Sequence, residues 1–515
     1  MYFDARELDN NSLIEGDICI IGAGAAGISI ALDWINTNYK VILLEGGGFE
    51  YDKKTQNLYK GKINGPKCLP LMSSRSHLFG GTTNIWGGHC SPFDEMDFEK
   101  RNWVDNSGWP IKKKDLNPYY EKATKILELQ TDDYSINYWL KNNPSYTKLQ
   151  INNDIITEKI WQYSPPTRFN DKYKDVIIDA KNIYLYTYAN VTNISANENI
   201  SSIKEVTLKN HTGKTHKVKA KYFILACGAI QNARLLLNSK KQINNGIGNE
   251  NDNVGRYFME HVHVNAAELW LNNTFPMSFY LLNWGITKGR AELAITANEQ
   301  QKHRILNGTA KIDFLKNDRS RKSFFDMYSN EDPKKNGYIM SYSEKINKKI
   351  QLFKASRVEN IDRAYGLNVK IEQVPNPDSR VFLDNEKDVL DMQKANLRWE
   401  ITSFEKRSIK KMVELIGREV GVSDIGRIKL MESLHDGNNQ NWIENRYPGC
   451  HHMGTTRMSN NPKNGVVDLN CKIHSLNNLF VAGSSCFTTS GSANPTLTLI
   501  ALSLRLSNYV KSKIE

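Results

Sequence analysis

What this 515-residue chain lacks narrows its identity before any motif is read. It has no CxxC pair: its seven cysteines, Cys19, Cys68, Cys90, Cys227, Cys450, Cys471 and Cys486, are odd in number and widely spaced. That pattern argues against a zinc site or a disulfide framework and suits a reduced compartment, so no metal is expected. No export signal is expected, because Asp4, Glu7 and Asp9 stand where such a signal carries positive charge. A membrane span is missing too, since the apolar run that follows, ICIIGAGAAGISIAL, is broken by three glycines. A cytoplasmic location is the expectation. There are no internal repeats or low-complexity tracts, and no concentrated basic patch: the net charge of +12 comes from lysines scattered among Asp and Glu. That balance reads as a solvated basic surface with no nucleic-acid partner. What is present is 40% apolar residues, enough for a sizeable core in two or three structural units.

The first nucleotide signal is DICIIGAGAAGISIALDWINTNYKVILLEGGG, residues 17–48. An apolar run typical of a buried parallel strand leads into a glycine turn, a helical stretch and a second apolar run, which together make a βαβ unit. Gly22, Gly24 and Gly27 form GxGxxG: the first permits the tight turn, the second lets backbone approach a pyrophosphate, the third lets helix and strand pack closely. Ala26 lies in the first turn of that helix, whose free amides and dipole favour phosphate. Glu45 ends the second strand, placed to accept hydrogen bonds from an adenosine ribose. Its charge would repel a 2′-phosphate, so FAD or NAD is preferred to NADP.

Later stretches favour flavin. FGGTTNIWGGHC at 79–90 sets two glycine pairs around a polar core, so that its backbone at Gly81 can lie against a flat ring while Thr82, Thr83 and Asn84 hydrogen-bond it and Trp86 shields it. Taken alone, the same loop reads equally as a surface turn with a packed tryptophan. YFILACGAIQNARLLL at 222–237 is a strand, an Ala-Cys-Gly turn and a helix, which brings Cys227 toward the nucleotide from its other side. YLYTYANVTNI, which holds Val191 on the nucleotide side, is followed by SSIKEVTLKNHTGKTHKVKAK, two alternating β-stretches around an Asn-His-Thr-Gly turn. A hairpin inserted before a returning strand in this way is usual in FAD enzymes. NLFVAGSSCFTTSGSANPTLTLIALSLRLSNYV at 478–510 is a short strand, a turn with Gly483 and Ser484, and a largely buried helix with Asn494 as N-cap, Pro495 at the first helical position and Thr496 after it. An inward-pointing helix N-terminus suits an anion, such as the charge of reduced flavin at its pyrimidine end.

GAGAAG with Glu45, FGGTTNIWGG, FILACGAIQNARLLL, NVGRYFMEH at 253–261, HHMGTTRM at 451–458 and SANPTLTLIALSLRL together resemble the glucose-methanol-choline (GMC) oxidoreductase family, in that family's order from near residue 17 to residue 510. The likeness is greater to bacterial sugar and polyol oxidoreductases, and distantly to pyranose oxidases, because the second active-site motif reads Asn-Pro-Thr-Leu-Thr. No motif can be named between about 263 and 365. The resemblance implies an α/β (α+β overall) fold with a Rossmann-like FAD-binding domain, discontinuous over 1–130, 183–262 and 441–515. A substrate-binding domain over 131–182 and 263–440 would be built on a mostly antiparallel sheet with helices. The resemblance further implies FAD as cofactor and an alcohol CH–OH group oxidised to a carbonyl, hydride passing to flavin N5. The family's HxxGT motif puts the catalytic histidine at His451, and its second group, His or Asn, falls on Asn494. Relatives with covalent FAD attach it through a histidine at the place held here by Ile85, so FAD is expected to be non-covalent, His89 standing in another register.

A carbinol loses hydride readily only as its hydroxyl proton leaves, so a base within about 3 Å of the oxygen is required, and neutral imidazole suits that task near pH 7. Asn494 can donate its amide NH₂ to the developing alkoxide while its oxygen caps the helix. In YPGCHHMGTTRM the adjacent His451 and His452 could be metal ligands, a base with a bystander, or packing. Neighbouring side chains of an extended chain point opposite ways, so the pair divides: His451 toward the flavin, His452 toward packing. On the substrate side, strands are expected in YGLNVKIEQVPNPDSRVFLDNE and NLRWEIT, and the family's sheet over the flavin makes Glu372 and Gln373 pocket residues. The helix SFEKRSIKKMVELIGREVG should bury Ile409, Val413, Ile416 and Val420. WQYSPPTRFN at 161–170 and YLLNWG at 280–285 offer aromatics that could stack on a sugar ring. The expected substrate is a small alcohol or sugar, with oxygen, quinone or a carrier protein as acceptor and dehydrogenase favoured over oxidase. Two other readings stay open: a flavin disulfide reductase or hydroxylase, and a catalytically silent flavin-binding protein. A reductase would want the missing CxxC, and intact His451 and Asn494 speak against silence.

Overall fold

A computed structural model describes residues 1–66, 68–281, 288–314, 363–435 and 446–514. Two large sheets organise them, as expected. The first has the strand order Tyr2–Asp4, Ile183–Thr187, Val41–Leu44, Leu13–Ile21, Thr215–Leu225, Ile203–Lys209, Asn190–Ala196, with Leu479–Val481 also pairing with Thr215–Leu225. Its centre is parallel: Ile18–Ile21 lie in register with both Val41–Leu44 and Tyr222–Leu225. Ile18 to Ile21 and Val41 to Leu44 are all buried, as continuous apolar strands with covered faces must be. The helices Ala25–Trp34 and Pro495–Ile514 pack against each other beside this sheet. The expected hairpin appears as an antiparallel run of Asn190–Ala196, Ile203–Lys209 and Thr215–Leu225.

The second sheet is antiparallel, ordered Gly426–Leu430, Val262–Leu271, Ala364–Ile371, Gly308–Phe314, Gly289–Ile295, Ile156–Tyr163, His89–Cys90, with Arg446–Pro448 added on Val262–Leu271. Because side chains alternate across a strand, register assigns each residue to a face. Val264, Val369, Ile312 and Leu293 lie on one face and are buried; the helix Ser403–Val422 packs on this sheet. That helix buries Ile409, Val413, Ile416 and Val420 as read from its periodicity, and starts in a capping box between Thr402 and Glu405. The other face carries His263, Lys370, Thr309, Glu292, Arg290 and Trp161, brought side by side by the pairings His263 with Lys370, Lys370 with Thr309, and Arg290 with Trp161.

Glu372 and Gln373 are placed differently from the pocket position the sequence implied. Glu372 is fully buried, ion-paired with Arg101 through both oxygens, and accepts from the Asn307 backbone N–H at 2.7 Å. Gln373 accepts from Glu260 N (3.0 Å) and Trp399 Nε1 (2.9 Å). Both residues tie segments together where charge and amide groups had to be buried in pairs. The aromatic stretches are also used inward. Lys370 Nζ lies 4.2 Å from the centre of the fully buried Trp161 ring, and the Tyr280 hydroxyl donates to Glu158 at 3.1 Å and accepts from Leu149 N at 2.9 Å. Residues 282–285 of YLLNWG lie outside the described residues.

Candidate active site

The nucleotide side begins at the turn after Ile21. A methyl group on Gly27 would sit 1.9 Å from the Gly22 carbonyl oxygen, whereas one on Gly24 would meet nothing within 4 Å. Helix and strand are therefore pressed together at Gly27 while Gly24 borders open space, the two conditions a pyrophosphate cradle needs. Glu45 is 5% exposed; its two oxygens accept from Ala23 N (3.0 Å) and Gly47 N (2.9 Å), which fixes the carboxylate at the strand end. Val191 lies beside Asn190, whose side chain donates to Gly46 O at 3.1 Å, so it belongs to the same end of the site as Glu45. Cys227 lies against the glycine turn, its thiol donating to Ile21 O at 3.1 Å, and Ala26 is buried in the first helical turn.

The FGGTTNIWGG segment lies directly on this turn: Gly80 N donates to Ala23 O at 2.8 Å, and a Cβ on Gly81 would stand 3.0 Å from Gly24 Cα. Its side chains are partly spent on the loop itself. Thr83 Oγ1 donates to Gly80 O (2.6 Å), Asn84 Nδ2 to Phe79 O (2.8 Å) and Trp86 Nε1 to Thr167 O (3.0 Å), while Thr82 is exposed. What the segment offers a flat ring is mainly backbone. His89 sits away from it in the second sheet, edge-on to Tyr163 with ring centres 4.7 Å apart.

The candidate histidine is placed by two segments held antiparallel at a single bridge. Met259 and Met453 exchange backbone hydrogen bonds of 3.0 Å each way, and Gly454 at φ +90° passes so close to Tyr257 O that a Cβ would lie 2.0 Å from it. This zipper explains the glycine of the HxxGT motif and sets His261 beside His451. His451 Nδ1 is 2.8 Å from His261 Nδ1; His261 Nε2 is 2.8 Å from Gly491 O and 3.2 Å from Ser490 O. Carbonyl oxygens only accept, so His261 carries its proton on Nε2. Burial drives His261 down to about 3, which keeps it neutral, and its Nδ1 must therefore accept from His451 Nδ1–H. The remaining nitrogen of neutral His451, Nε2, is left with a bare lone pair. Burial first, then His261 and His263, push His451 well below the ordinary histidine value. Glu260 binds the backbone on both sides, accepting from His451 N at 2.7 and 2.9 Å and from His261 N at 2.8 Å.

The two adjacent histidines part as the extended-chain argument required. His452 turns to the Phe258 ring, 5.6 Å between centres, with its Nε2 3.9 Å from Glu260 Oε2. Ser484 Oγ donates to the His452 carbonyl at 2.7 Å, and Gly454 N to Ser484 O at 3.1 Å, joining the Gly483–Ser484 turn to the same loop. Asn494 stands just before the helix Pro495–Ile514, ahead of buried Pro495 and half-buried Thr496. Its oxygen accepts from Lys370 Nζ at 2.9 Å, in place of the helix cap expected from sequence. An ammonium can only donate, so the amide NH₂ faces the other way. His261, Glu260 and Lys370 are the site residues that sequence reading missed. His261 was visible in NVGRYFMEH, but nothing in the spacing pairs it with a histidine 190 positions later.

Eight histidines, His77, His89, His216, His261, His263, His451, His452 and His474, are held below the ordinary value, burial being the first cause in each. Near pH 6.5 the unfolded chain takes up protons that the folded chain refuses, so stability is full above that pH and falls below it. Asp97, raised to about 7, and Glu260, raised to about 8, act in the opposite sense, holding protons the unfolded chain has shed. The histidines outnumber them, so the thermal midpoint is expected to fall as pH drops from about 6.5 to 5. Calorimetry across that range checks it, and a midpoint that stayed level or rose would contradict neutral histidines.

The nucleotide cradle and the paired imidazoles define the class first: a flavoprotein-type fold that also holds two hydrogen-bonded histidines, one with a ring nitrogen left bare. Residues 375–503 match the GMC oxidoreductase family model for the C-terminal domain. The resemblance drawn from the motifs is thus borne out, and the chain carries that family's domain. It is 23% identical to the 2-methyl-1,2-propanediol dehydrogenase of Mycolicibacterium austroafricanum over 97% of this chain and 96% of that protein. It is also 23% identical to the paromamine 6′-oxidase of Streptomyces fradiae, over 96% and 91%. A variant of Aspergillus oryzae formate oxidase solved to follow FAD modification shares the fold at a TM-score of 0.57 and 17% identity, covering 98% of this chain and 99% of that one. The family and these structural neighbours are FAD-binding flavoproteins, and the open cradle at Gly24, with Glu45 at its far end, fits that cofactor. None of the described helices is long and apolar enough to cross a membrane.

Proposed function

We propose that this protein oxidises a CH–OH group of a small hydroxylated molecule, such as a sugar, polyol or related alcohol, to a carbonyl. The observation that carries the proposal is the bare Nε2 of His451, fixed by the chain from His451 to His261 to the Gly491 carbonyl. The Gly22–Gly27 turn and Glu45 would hold FAD non-covalently, which when bound would supply the hydride acceptor. His451 Nε2 takes the hydroxyl proton, and the resulting imidazolium keeps its Nδ1–H on the His261 lone pair, which stabilises it without any rearrangement. Asn494, its oxygen held by Lys370, presents its NH₂ to the substrate oxygen as charge develops there. The relatives are named as a 2-methyl-1,2-propanediol dehydrogenase and a paromamine 6′-oxidase, which supports alcohol oxidation and leaves the acceptor to experiment. We keep dehydrogenase as the reading, in a cytoplasmic setting that seven free cysteines suit.

Anaerobic addition of a broad alcohol and sugar panel to the FAD-loaded protein tests this. At least one carbinol is expected to bleach the visible flavin band, with the matching aldehyde or ketone recovered. A band that survives the whole panel would favour a silent flavin-binding protein. Mixing the reduced protein with oxygen and, separately, with a soluble quinone then separates oxidase from dehydrogenase.

A further inference from the structure

The polar face of the second sheet is unusual in being enclosed. Arg290 is 1%, Glu292 4% and Lys370 5% exposed. Its charges do not balance. Glu292 accepts from Arg290 (2.6 Å) and Thr309 (2.7 Å), and Asp313 pairs with Lys311 at 2.7 Å. The neighbouring Lys159 is met by Asp94 at 2.6 Å. Lys370 alone of these cations forms no ion pair among the described residues: its ammonium meets only the Asn494 oxygen and the Trp161 ring. Arg290 Nε and Nη1 are buried and also lack a hydrogen-bond partner among the described residues. Burial, the largest cause, brings Lys370 down to about 7; Glu292 pulls against that shift, while Lys159, Arg290 and Lys311 add to it. A buried ammonium with no direct ion pair, on a face where cations outnumber carboxylates, is unfavourable, and it stands one hydrogen bond from the proposed substrate contact. His451, Asn494 and His263 beside it keep partial exposure, so the space between them is open to a ligand.

Resting on the alcohol-oxidation reading, we propose that the substrate carries an oxyanion, a carboxylate or a phosphate ester, near its reacting carbinol, and that Lys370 binds it. The missing counter-charge of the site then arrives with the substrate, and only molecules that bring it are held with their hydroxyl against His451. A neutral sugar would leave the ammonium uncompensated. In this account Lys370 determines specificity as well as holding Asn494.

The test uses the full-length FAD-loaded protein, with Lys370→Gln, which keeps a donor for Asn494 but removes the charge, and Lys370→Met, which removes both. Acetate and inorganic phosphate are titrated in turn at constant ionic strength, following the flavin spectrum. Saturable binding of at least one is expected, weakened about tenfold or more in both variants, the usual worth of a charged hydrogen bond. The tighter of the two anions identifies carboxylate or phosphate as the source. Absence of saturable binding, or equal binding in Lys370→Gln, overturns the proposal. Glycerate, glycerol phosphate and glycerol are then compared as reductants: Lys370→Gln should raise KM on the charged members about tenfold or more beyond whatever loss glycerol shows through Asn494. Equal losses on all three would make Lys370 a support for Asn494 only and also overturn it. Anion binding that is intact while no alcohol bleaches the flavin would instead sink the oxidation reading.

Discussion

The FAD-loaded His451→Ala protein is expected to keep its cofactor and to be reduced by its alcohol about 10² to 10⁴ times more slowly than the native protein, the usual share of a general base. The reason is geometric. Of the two ring nitrogens of the partly exposed His451, Nε2 is the one left with a bare lone pair, because Nδ1 is committed to His261, itself locked by Gly491 and Ser490. The nucleotide cradle at Gly22–Gly27 and Glu45 makes none of its hydrogen bonds through that ring, so flavin content should not change. Stopped-flow bleaching under anaerobic conditions measures the effect, and an unchanged rate would remove His451 from the mechanism. His452→Ala is the matched control. Its ring packs on Phe258 near Glu260, so the loss should fall on thermal stability while the bleaching rate stays within a few-fold of native.

Glu372→Ala is expected to destabilise the fold by about 3 to 5 kcal/mol, the typical consequence of stripping one partner from a buried ion pair. Arg101 is 3% exposed and Glu372 is fully buried, so the guanidinium would be left without its counter-charge, and Asn307 N would lose its acceptor. Thermal or urea unfolding reads this directly. Were Glu372 the pocket residue that its place in the motif sequence implied, the same substitution would alter KM and leave the unfolding midpoint alone. The pair of measurements therefore decides between a tie and a contact.

The two predictions mark how unevenly the molecule was legible. Nucleotide binding is a local matter: a strand, a glycine turn, a helix and an acid lie within thirty residues, so spacing alone conveys the geometry. The helix Ser403–Val422 was equally readable, since its apolar stripe and its Thr402–Glu405 box are both encoded within one turn or a few. The roof of the site was not. Residues 262–314 and 364–371 alternate polar and apolar positions, which is also how a sheet with one wet face reads. Only the pairing of His263 with Lys370 and of Lys370 with Thr309 reveals that the polar positions share one enclosed face. Asn494 shows the same limit at one residue: Asn-Pro at a helix start reads as a cap, yet its oxygen is taken by a lysine 124 positions away.

The sequence by itself determined the dinucleotide turn and the preference for FAD or NAD over NADP, because each rests on residues close together in the chain, while flavin and the candidacy of His451 came from the resemblance its motifs carry along the whole chain. Tertiary structure decided which His451 nitrogen is left without a partner, what holds Asn494, and that an ammonium without a direct ion pair among the described residues stands beside it. Those properties depend on which donor meets which acceptor across 100 to 200 residues of chain, and hydrogen-bond polarity and burial exist only once the strands have met.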